Sequence, residues 1–331
     1  MKVIVTGGAG YIGAHVARAL AAAGHLPIIV DDLRCASRQR VGDFAFEPVA
    51  IEDTAALVDC FRRHRPEGVI HLAGYISVGE SVRVPEKYWA NNLGAGASLL
   101  FACGRHPVRA FLFSSTAAVY GNAEVSPIVE QTPLAPTSPY GASKLAFERL
   151  LHAAAPSLGM RSAALRYFNA AGATVAWRVG EAHNPEEHLI PRVIAALLGG
   201  TPVQVYGDDY PTPDGTCVRD YIHVEDLATA HVQVLEADTL ASGVSFNVGT
   251  GRGTSVRQVI HAVGERLGIP PRIDVIARRP GDPASLVADP SALRSALRWA
   301  PRYPSIEAIV DSAVEWELWR RAQERDDQNE E

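Results

Sequence analysis

Cysteine is scarce in this chain, and the few cysteines are scattered. Cys35, Cys60, Cys103 and Cys217 form no C-x-x-C, so neither a disulfide framework nor a thiolate metal site is expected. Reduced thiols in a cytoplasmic protein are the expectation. The 11 histidines show no zinc-ligand spacing. His183 and His188 flank a loop and read as surface groups, so no metal is expected. No apolar run approaches the length of a membrane span, and a strand pattern begins at once, so neither a membrane partner nor a signal peptide is expected. Basic blocks are missing too. With a net charge of −6, nucleic acid is not an expected partner, and an anionic ligand would need a local basic pocket. Internal repeats and low-complexity segments are absent. What is there is an ordinary globular composition, 47% hydrophobic and 21% charged over 331 residues, enough for one or two domains.

The most informative stretch is the start. Val3-Ile4-Val5 suits a buried parallel strand and runs into Gly7-Gly8-Ala9-Gly10-Tyr11-Ile12-Gly13, followed by an alanine-rich, helix-prone segment. Glycines at 7, 10 and 13 give G-x-x-G-x-x-G. They turn the chain sharply and let backbone approach a pyrophosphate, while a helix starting at Tyr11 or Ile12 aims its positive end at the phosphates. Asp31 ends a second apolar strand, Ile28-Ile29-Val30. That strand–turn–helix context with a distal acid predicts a dinucleotide site. A carboxylate at that strand tip accepts hydrogen bonds from a ribose diol and repels a 2′-phosphate, so NAD is expected rather than NADP. Arg34 and Arg38 nearby read as a solvated loop, with contact to adenine or phosphate as the alternative.

Strand and helix patterns alternate through the first half. Strands are expected near 2–6, 26–31, 68–72, 109–114 and 161–167, and helices near 11–23, 54–64, 85–105 and 139–155. This is an α/β pattern with a doubly wound parallel sheet. After Asn169-Ala170-Ala171-Gly172 the texture changes. Residues 1–172, with a returning segment near 223–250, are expected to form one domain. Residues 173–222 and 251–320 form a smaller α/β substrate-side domain, with a helix near 188–199, and 321–331 an acidic, disordered tail.

Tyr140-Gly141-Ala142-Ser143-Lys144 sets a phenol and an ammonium one helical turn apart on one face. An unperturbed tyrosine titrates near pKa ~10 and is a poor base at neutral pH. A lysine cation and a positive nicotinamide would stabilise its phenolate and lower that value. Just upstream, Phe111-Leu112-Phe113 ends in Ser114-Ser115-Thr116, hydroxyls at the carboxyl edge of a parallel strand, where ligands sit. Thr116 is placed to bond a sugar oxygen and serve the proton path to Tyr140. Each hydroxyl taken singly could simply finish strand-end backbone bonds.

T-G-G-A-G-Y-I-G, H-L-A-G, S-S-T-A-A-V-Y-G, S-P-Y-G-A-S-K and L-R-Y-F-N-A-A-G, in this order, resemble the extended short-chain dehydrogenase/reductase family. V-R-D-Y-I-H-V (218–224) and R-R-P-G-D (278–282) are similar to its nucleotide-sugar 4-epimerases. The resemblance runs from residue 1 to about 320. It implies a Rossmann-type NAD domain, a C-terminal domain holding a UDP-sugar, and a homodimer packed through the helices near 85–105 and 139–155. It implies NAD-dependent epimerisation at C4 of a UDP-hexose through a transient 4-keto sugar. Gly7, Gly10 and Gly13 would surround the pyrophosphate, with Tyr11 and Ile12 offering N–H groups, and Asp31 would hold the ribose. Asn91 would face the cofactor, and Tyr167 would lie near the nicotinamide. Tyr140 would be the acid/base, Lys144 its electrostatic partner, and Thr116 a sugar ligand. Asn169 would contact the diphosphate. His188 stands where asparagine is common and can still donate a hydrogen bond, while Leu189 and Tyr206 would flank the uracil. Arg219, Arg279 and Asp282 would hold diphosphate and uridine, forked donors that answer the charge problem. For Arg219 the ordinary alternative is an ion pair with Asp220.

Some positions depart from the family pattern. Ala50 replaces an adenine-contacting aspartate, and Ile76 replaces a lysine near the phosphates. Leu286 takes a pocket-wall position that is tyrosine in some members and small in others, so N-acetylated sugars stay open. Other UDP-sugars remain alternatives, Arg178 being the kind of group a uronate would want. A 4,6-dehydratase would need an acid after Thr116, where Ala117 and Ala118 stand. A non-enzymatic NAD-binding protein would not need Thr116, Tyr140 and Lys144 together.

Overall fold

The computed structural model describes residues 1–123, 125–279 and 281–330, with side chains to Arg325. Its strands are β1 (Lys2–Thr6), β2 (Leu26–Val30), β3 (Ala45–Glu47), β4 (Gly68–His71), β5 (Ala110–Thr116), β6 (Arg161–Tyr167), β7 (Asn169–Ala171), β8 (Val203–Tyr206), β9 (Val218–His223), β10 (Val244–Val248), β11 (Gly253–Ser255), β12 (Ile273–Ile276) and β13 (Ser285–Leu286). Its α-helices are α1 (Tyr11–Ala22), α2 (Thr54–His64), α3 (Val78–Arg83), α4 (Pro85–Tyr88), α5 (Gly96–Arg105), α6 (Pro139–Ala154), α7 (Leu189–Leu198), α8 (Val224–Glu236), α9 (Val256–Leu267), α10 (Ser291–Leu297) and α11 (Ile306–Glu330).

Seven strands form one parallel sheet in the order β10-β6-β5-β4-β1-β2-β3. The strand order reverses between β1 and β4, which opens a crevice at their carboxyl ends, the Rossmann arrangement. Alternation along β1 feeds two cores. Val3 and Val5 pack with α1 and α8 residues such as Leu20 and Leu227. Ile4 packs on the other face with Phe61, Phe111 and Phe147. A third core joins Ile190 and Val193 of α7, Val259 of α9 and Val310 of α11 with Val203 and Val205 of β8. Smaller sheets, β11-β9-β13 with β7 on β9, and β12-β8, accompany that third core.

Each expected strand and helix is found near its place, elements such as β3 and α3 are additional, and three stretches differ. The helix expected over 85–105 is interrupted by a π-helical stretch, Trp89–Ala95, that joins α4 to α5. Here Asn92 is buried and bonds Tyr75 main chain both ways, at 2.9 and 3.0 Å, which draws the helix wall onto the loop after β4. The residues read as a returning segment contain α8 as well as β10, and α8 packs on α1. The expected disordered tail is helical to Glu330, as far as the described residues extend. Arg321 pairs with Glu317 at 2.7 Å and Arg320 with both Glu317 and Glu324, so helical spacing supports the charged stretch. Among the described residues no helix is long and apolar enough to cross a membrane. All four cysteines are unpaired, and only Cys35 is exposed.

Candidate active site

The crevice at the carboxyl ends of β1, β4 and β5 continues to β8, β9 and α7 as one cleft of about 1490 Å³. Every site residue expected from the sequence lines it, from Gly7 at one end to Arg279 and Asp282 at the other.

At the first end, Gly7 has a φ of +67°, and a Cβ there would lie 2.7 Å from Ala73 N. A Cβ on Gly13 would lie 2.1 Å from Gly7 O, whereas one on Gly10 meets only Gly7 O, at 3.1 Å. Positions 7 and 13 are thus glycine because backbone packs on backbone. α1 starts from Gly10 with no side-chain cap, so its leading N–H groups face the cleft unsatisfied by side chains. This bare helix end fits a pyrophosphate. The Tyr11 side chain does different work, its phenol donating to Gly172 O at 2.6 Å. Asp31 lies at the tip of β2, where its carboxylate accepts from Ala9 N (3.1 Å) and Leu33 N (2.9 Å). These features suit an adenine dinucleotide with a free ribose diol. Arg34 pairs with Asp32 and Glu52 at the surface, in keeping with a solvated loop. Ile76 lines the cleft and is exposed.

In the middle, Ser138 caps α6 by accepting from Gly141 N at 3.2 Å, and Pro139 opens its first turn. A Cβ on Gly141 would stand 2.6 Å from Ala118 O. Glycine there lets the start of α6 lie against the turn after β5, which brings Tyr140 to Thr116. Ala118 N–H donates to Thr116 Oγ1 at 3.1 Å, which leaves the Thr116 hydroxyl proton to give. Burial pushes the Tyr140 phenol above its ordinary value, and the bond with Thr116 opposes that rise. The lysine half of the expected depression is not seen: on balance the chain's own groups do not lower the phenol. The phenol's own burial is the cause, and Lys144, 2% exposed, turns its Nζ to Ser114 O at 3.0 Å. Burial brings the Lys144 amine down to about 8, with Glu148 opposing. The Tyr167 hydroxyl pairs with His231 Nε2 at 2.9 Å.

Three supports were missed from the sequence. Asn92 also donates to Ser143 Oγ (3.2 Å), and Ser143 Oγ donates to Tyr140 O (2.8 Å), bracing the first turn of α6. Beneath β5, Glu148 receives Arg166 through two bonds of 3.1 and 2.7 Å, and also Ser115 Oγ. Arg166 continues to Tyr120 OH at 2.9 Å, and Tyr120 to Asn247 at 2.7 Å. Glu148 stands one turn beyond Lys144 on α6, a spacing that could have flagged it. Finally, Arg192 of α7 joins Arg279 over the Tyr206 ring, at 6.0 and 3.9 Å from its centroid, and both guanidiniums lower the Tyr206 phenol.

At the far end, the expected Arg219–Asp220 alternative is not what forms. Arg219 pairs with Asp282 at 3.2 Å and donates to Pro283 O at 2.9 Å. Asp220 turns inward and accepts from Thr250 N, Thr250 Oγ1, Gly251 N and Ala288 N. Strand alternation separates the two neighbours onto opposite faces of β9. Asn169 Nδ2 donates to Asp220 O at 2.9 Å. His188 precedes α7 without capping it, its Nδ1 lying 2.7 Å from Glu186 Oε1, and Leu189 begins the helix. Leu286 is half-buried in the wall.

The cleft therefore joins a dinucleotide cradle, a Thr–Tyr–Lys group and an arginine corner. Known proteins are similar to the chain over nearly its whole length. The chain is 44% identical over 319 residues to the UDP-glucose 4-epimerase of Halalkalibacterium halodurans, covering 96% of this chain and 95% of the relative. It is 46% identical over 321 residues to that of Azospirillum brasilense, covering 96% and 92%. Among solved structures, the UDP-glucose 4-epimerase from Brucella ovis in complex with NAD superposes with a TM-score of 0.91 at 43% identity, covering 95% of this chain and 97% of that one. The enzyme from Stenotrophomonas maltophila, with bound NAD and formylated UDP-arabinopyranose, gives 0.93 at 36% identity, covering 98% and 99%. With a family model matching residues 3–249 as well, the chain belongs to the NAD dependent epimerase/dehydratase family.

Proposed function

We propose that this protein interconverts UDP-glucose and UDP-galactose by inverting C4 of the hexose with tightly held NAD. The observation that carries the reading is that Thr116, Tyr140 and Lys144 line one cleft together with a bare helix end and an arginine corner. When bound, the cofactor would supply a hydride acceptor for C4 in its oxidised form and a hydride donor in its reduced form. Tyr140 takes the proton from the 4-hydroxyl and later gives it back. Thr116 bonds the same sugar oxygen and passes the proton onward, since its own oxygen already accepts from Ala118 N. Lys144 holds the nicotinamide ribose and lends positive charge to the phenolate. Gly7, Gly10, Tyr11, Ile12 and Gly13 bind pyrophosphate, Asp31 the adenosine ribose, and Asn91 and Tyr167 the nicotinamide half. Asn169, His188, Leu189, Tyr206, Arg219, Arg279 and Asp282 grip uridine diphosphate, remote from C4. That grip supplies affinity while the sugar itself stays free to turn.

Residues 1–172 with 223–250 hold NAD in this reading, and 173–222 with 251–320 hold the UDP-sugar. Two chains pair through residues 85–105 (α4, the π-helical stretch and α5) and α6, and the protein works in the cytoplasm, in keeping with its free thiols. A dehydratase reading lacks support, because Ala117 and Ala118 follow Thr116 where an acid would be needed.

The test is direct. Tyr140→Phe should copurify with NAD yet lose turnover of UDP-galactose by ~10²–10⁴-fold. Wild-type turnover in that variant would refute the assignment. Separate incubations with UDP-galactose, UDP-N-acetylgalactosamine and UDP-arabinose, with products resolved by chromatography, define which sugar the Leu286 wall admits.

A further inference from the structure

The loop before α7 collects four side chains that the proposed reaction does not use as a set: Glu181, His183, Glu186 and His188. One donor atom from each lies within 4.8 Å of all the others. His188 Nδ1 is 2.7 Å from Glu186 Oε1 and 3.8 Å from Glu181 Oε2, and His183 Nδ1 touches Glu181 Oε1. That last contact is an ion pair without a hydrogen bond, so the buried His183 nitrogen has Glu181 beside it and no hydrogen-bond partner. The sequence reading took both histidines for surface groups. Their H-x4-H spacing falls within a range used by zinc ligands, but only the folded loop brings the rings together, with centroids 5.2 Å apart.

The donors are held from behind. Ala182 N–H donates to Glu181 Oε1 at 3.1 Å, and His188 N–H to Glu186 Oε1 at 2.8 Å. Trp316 Nε1 fixes the Glu181 carbonyl at 2.8 Å. Two carboxylates and two neutral imidazoles carry two negative charges, the complement of a divalent ion. Arg40 is the neighbouring cation, and its Nη2 donates to Gly180 O at 3.2 Å. Mixed imidazole and carboxylate donors suit zinc and similar late first-row ions, whereas calcium and magnesium take oxygen sets. Bonds of about 2.1 Å give a tetrahedron with edges of about 3.4 Å. The His183–Glu181 and His188–Glu186 pairs lie closer than that and His188–Glu181 lies at 3.8 Å, so the first two pairs would open around an ion.

We propose that Glu181, His183, Glu186 and His188 bind one Zn²⁺-class cation. The ion is structural: four protein donors fill a tetrahedron and leave no open position. It works as a clasp, because the same loop spans the cleft. Arg40 holds it on the α1 side, and Ser77 Oγ donates to Glu187 Oε2 at 2.7 Å on the other. His188 uses Nδ1 here, which leaves Nε2 for a ligand in the cleft.

The test uses the full chain, dialysed against chelator and titrated with Co²⁺ and then Zn²⁺. One ion per chain should bind, with the intense visible bands of tetrahedral cobalt and no thiolate charge-transfer band. The melting temperature should rise on adding Zn²⁺. His183→Ala and Glu186→Gln should each weaken binding by at least ~100-fold. Cys60→Ser should change nothing, because it belongs to a separate cluster with Glu47 and His64. Absence of binding by the wild-type protein at micromolar metal would overturn the proposal. So would undiminished binding in His183→Ala, or loss of binding in Cys60→Ser. None of these readouts depends on epimerase turnover, so the two readings stand or fall separately.

Discussion

Lys144 is the residue whose ionisation the fold alters most usefully. In the unfolded chain its amine titrates near ~10.4, while burial brings it to about 8 in the folded protein. A lowered folded value means that between these two limits the unfolded chain holds a proton the folded one has released. Stability therefore rises with pH across that window and is lowest below about 8. Relative to Lys144→Met, the wild-type protein should gain up to about 3 kcal/mol between pH 8 and 10.5, measured by denaturant unfolding at each pH. A flat difference would show that the amine is not desolvated. The same burial explains the Tyr140 result. An amine turned to Ser114 O and a phenol removed from water do not by themselves make a phenolate. In the proposed reaction the positive charge of oxidised nicotinamide then has a specific task, which would couple proton removal to the oxidised cofactor.

At the level of elements, the site depends on how closely α6 approaches the end of β5. Gly141 permits that approach, and Ser143 and Asn92 brace it from the other side. Gly141→Ala puts a methyl group against the Ala118 carbonyl, and backbone cannot yield as a flexible side chain would. The helix start should move away, separating Tyr140 from Thr116. A displacement near 1 Å can cost ~10²-fold in rate. The expected outcome is that loss in kcat for UDP-galactose with NAD still bound, read by steady-state kinetics beside cofactor absorbance. Unchanged kcat would show that the approach is not limiting. Lower on the same helix, the buried Glu148–Arg166 pair and its bonds to Ser115 and Tyr120 lock α6, β5 and β6 together. Fully satisfied networks of this kind rigidify their surroundings.

For the whole molecule, the informative surface is the one that water should not favour. Val82 (64% exposed), Phe101 (50%), Trp89 (40%) and Leu150 (36%) lie on α3, α5, α6 and the π-helical stretch between α4 and α5. Apolar surface gathered on neighbouring helices marks an association face. Wild-type protein should sediment as a dimer, and the double variant Phe101→Glu, Leu150→Glu as a monomer retaining NAD. A wild-type monomer at micromolar concentration would remove the proposed pairing.

Local chemistry was readable because its causes are local. Strand alternation, the glycine turn, Ser138 before Pro139, and the one-turn step from Tyr140 to Lys144 are set by backbone geometry over a few residues. They located β1, α1 and α6 within a residue or two and brought the expected site residues into one cleft. What only the tertiary structure decided was pairing across distance. Asp282 rather than Asp220 meets Arg219, Asn92 braces Ser143, and His183 meets His188 through a loop without a period. The phenol and the amine likewise owe their altered proton affinities to how much water the fold removes around them. Spacing along a chain fixes which side chains share a helix face, but desolvation and partners from distant strands are set only when the layers close.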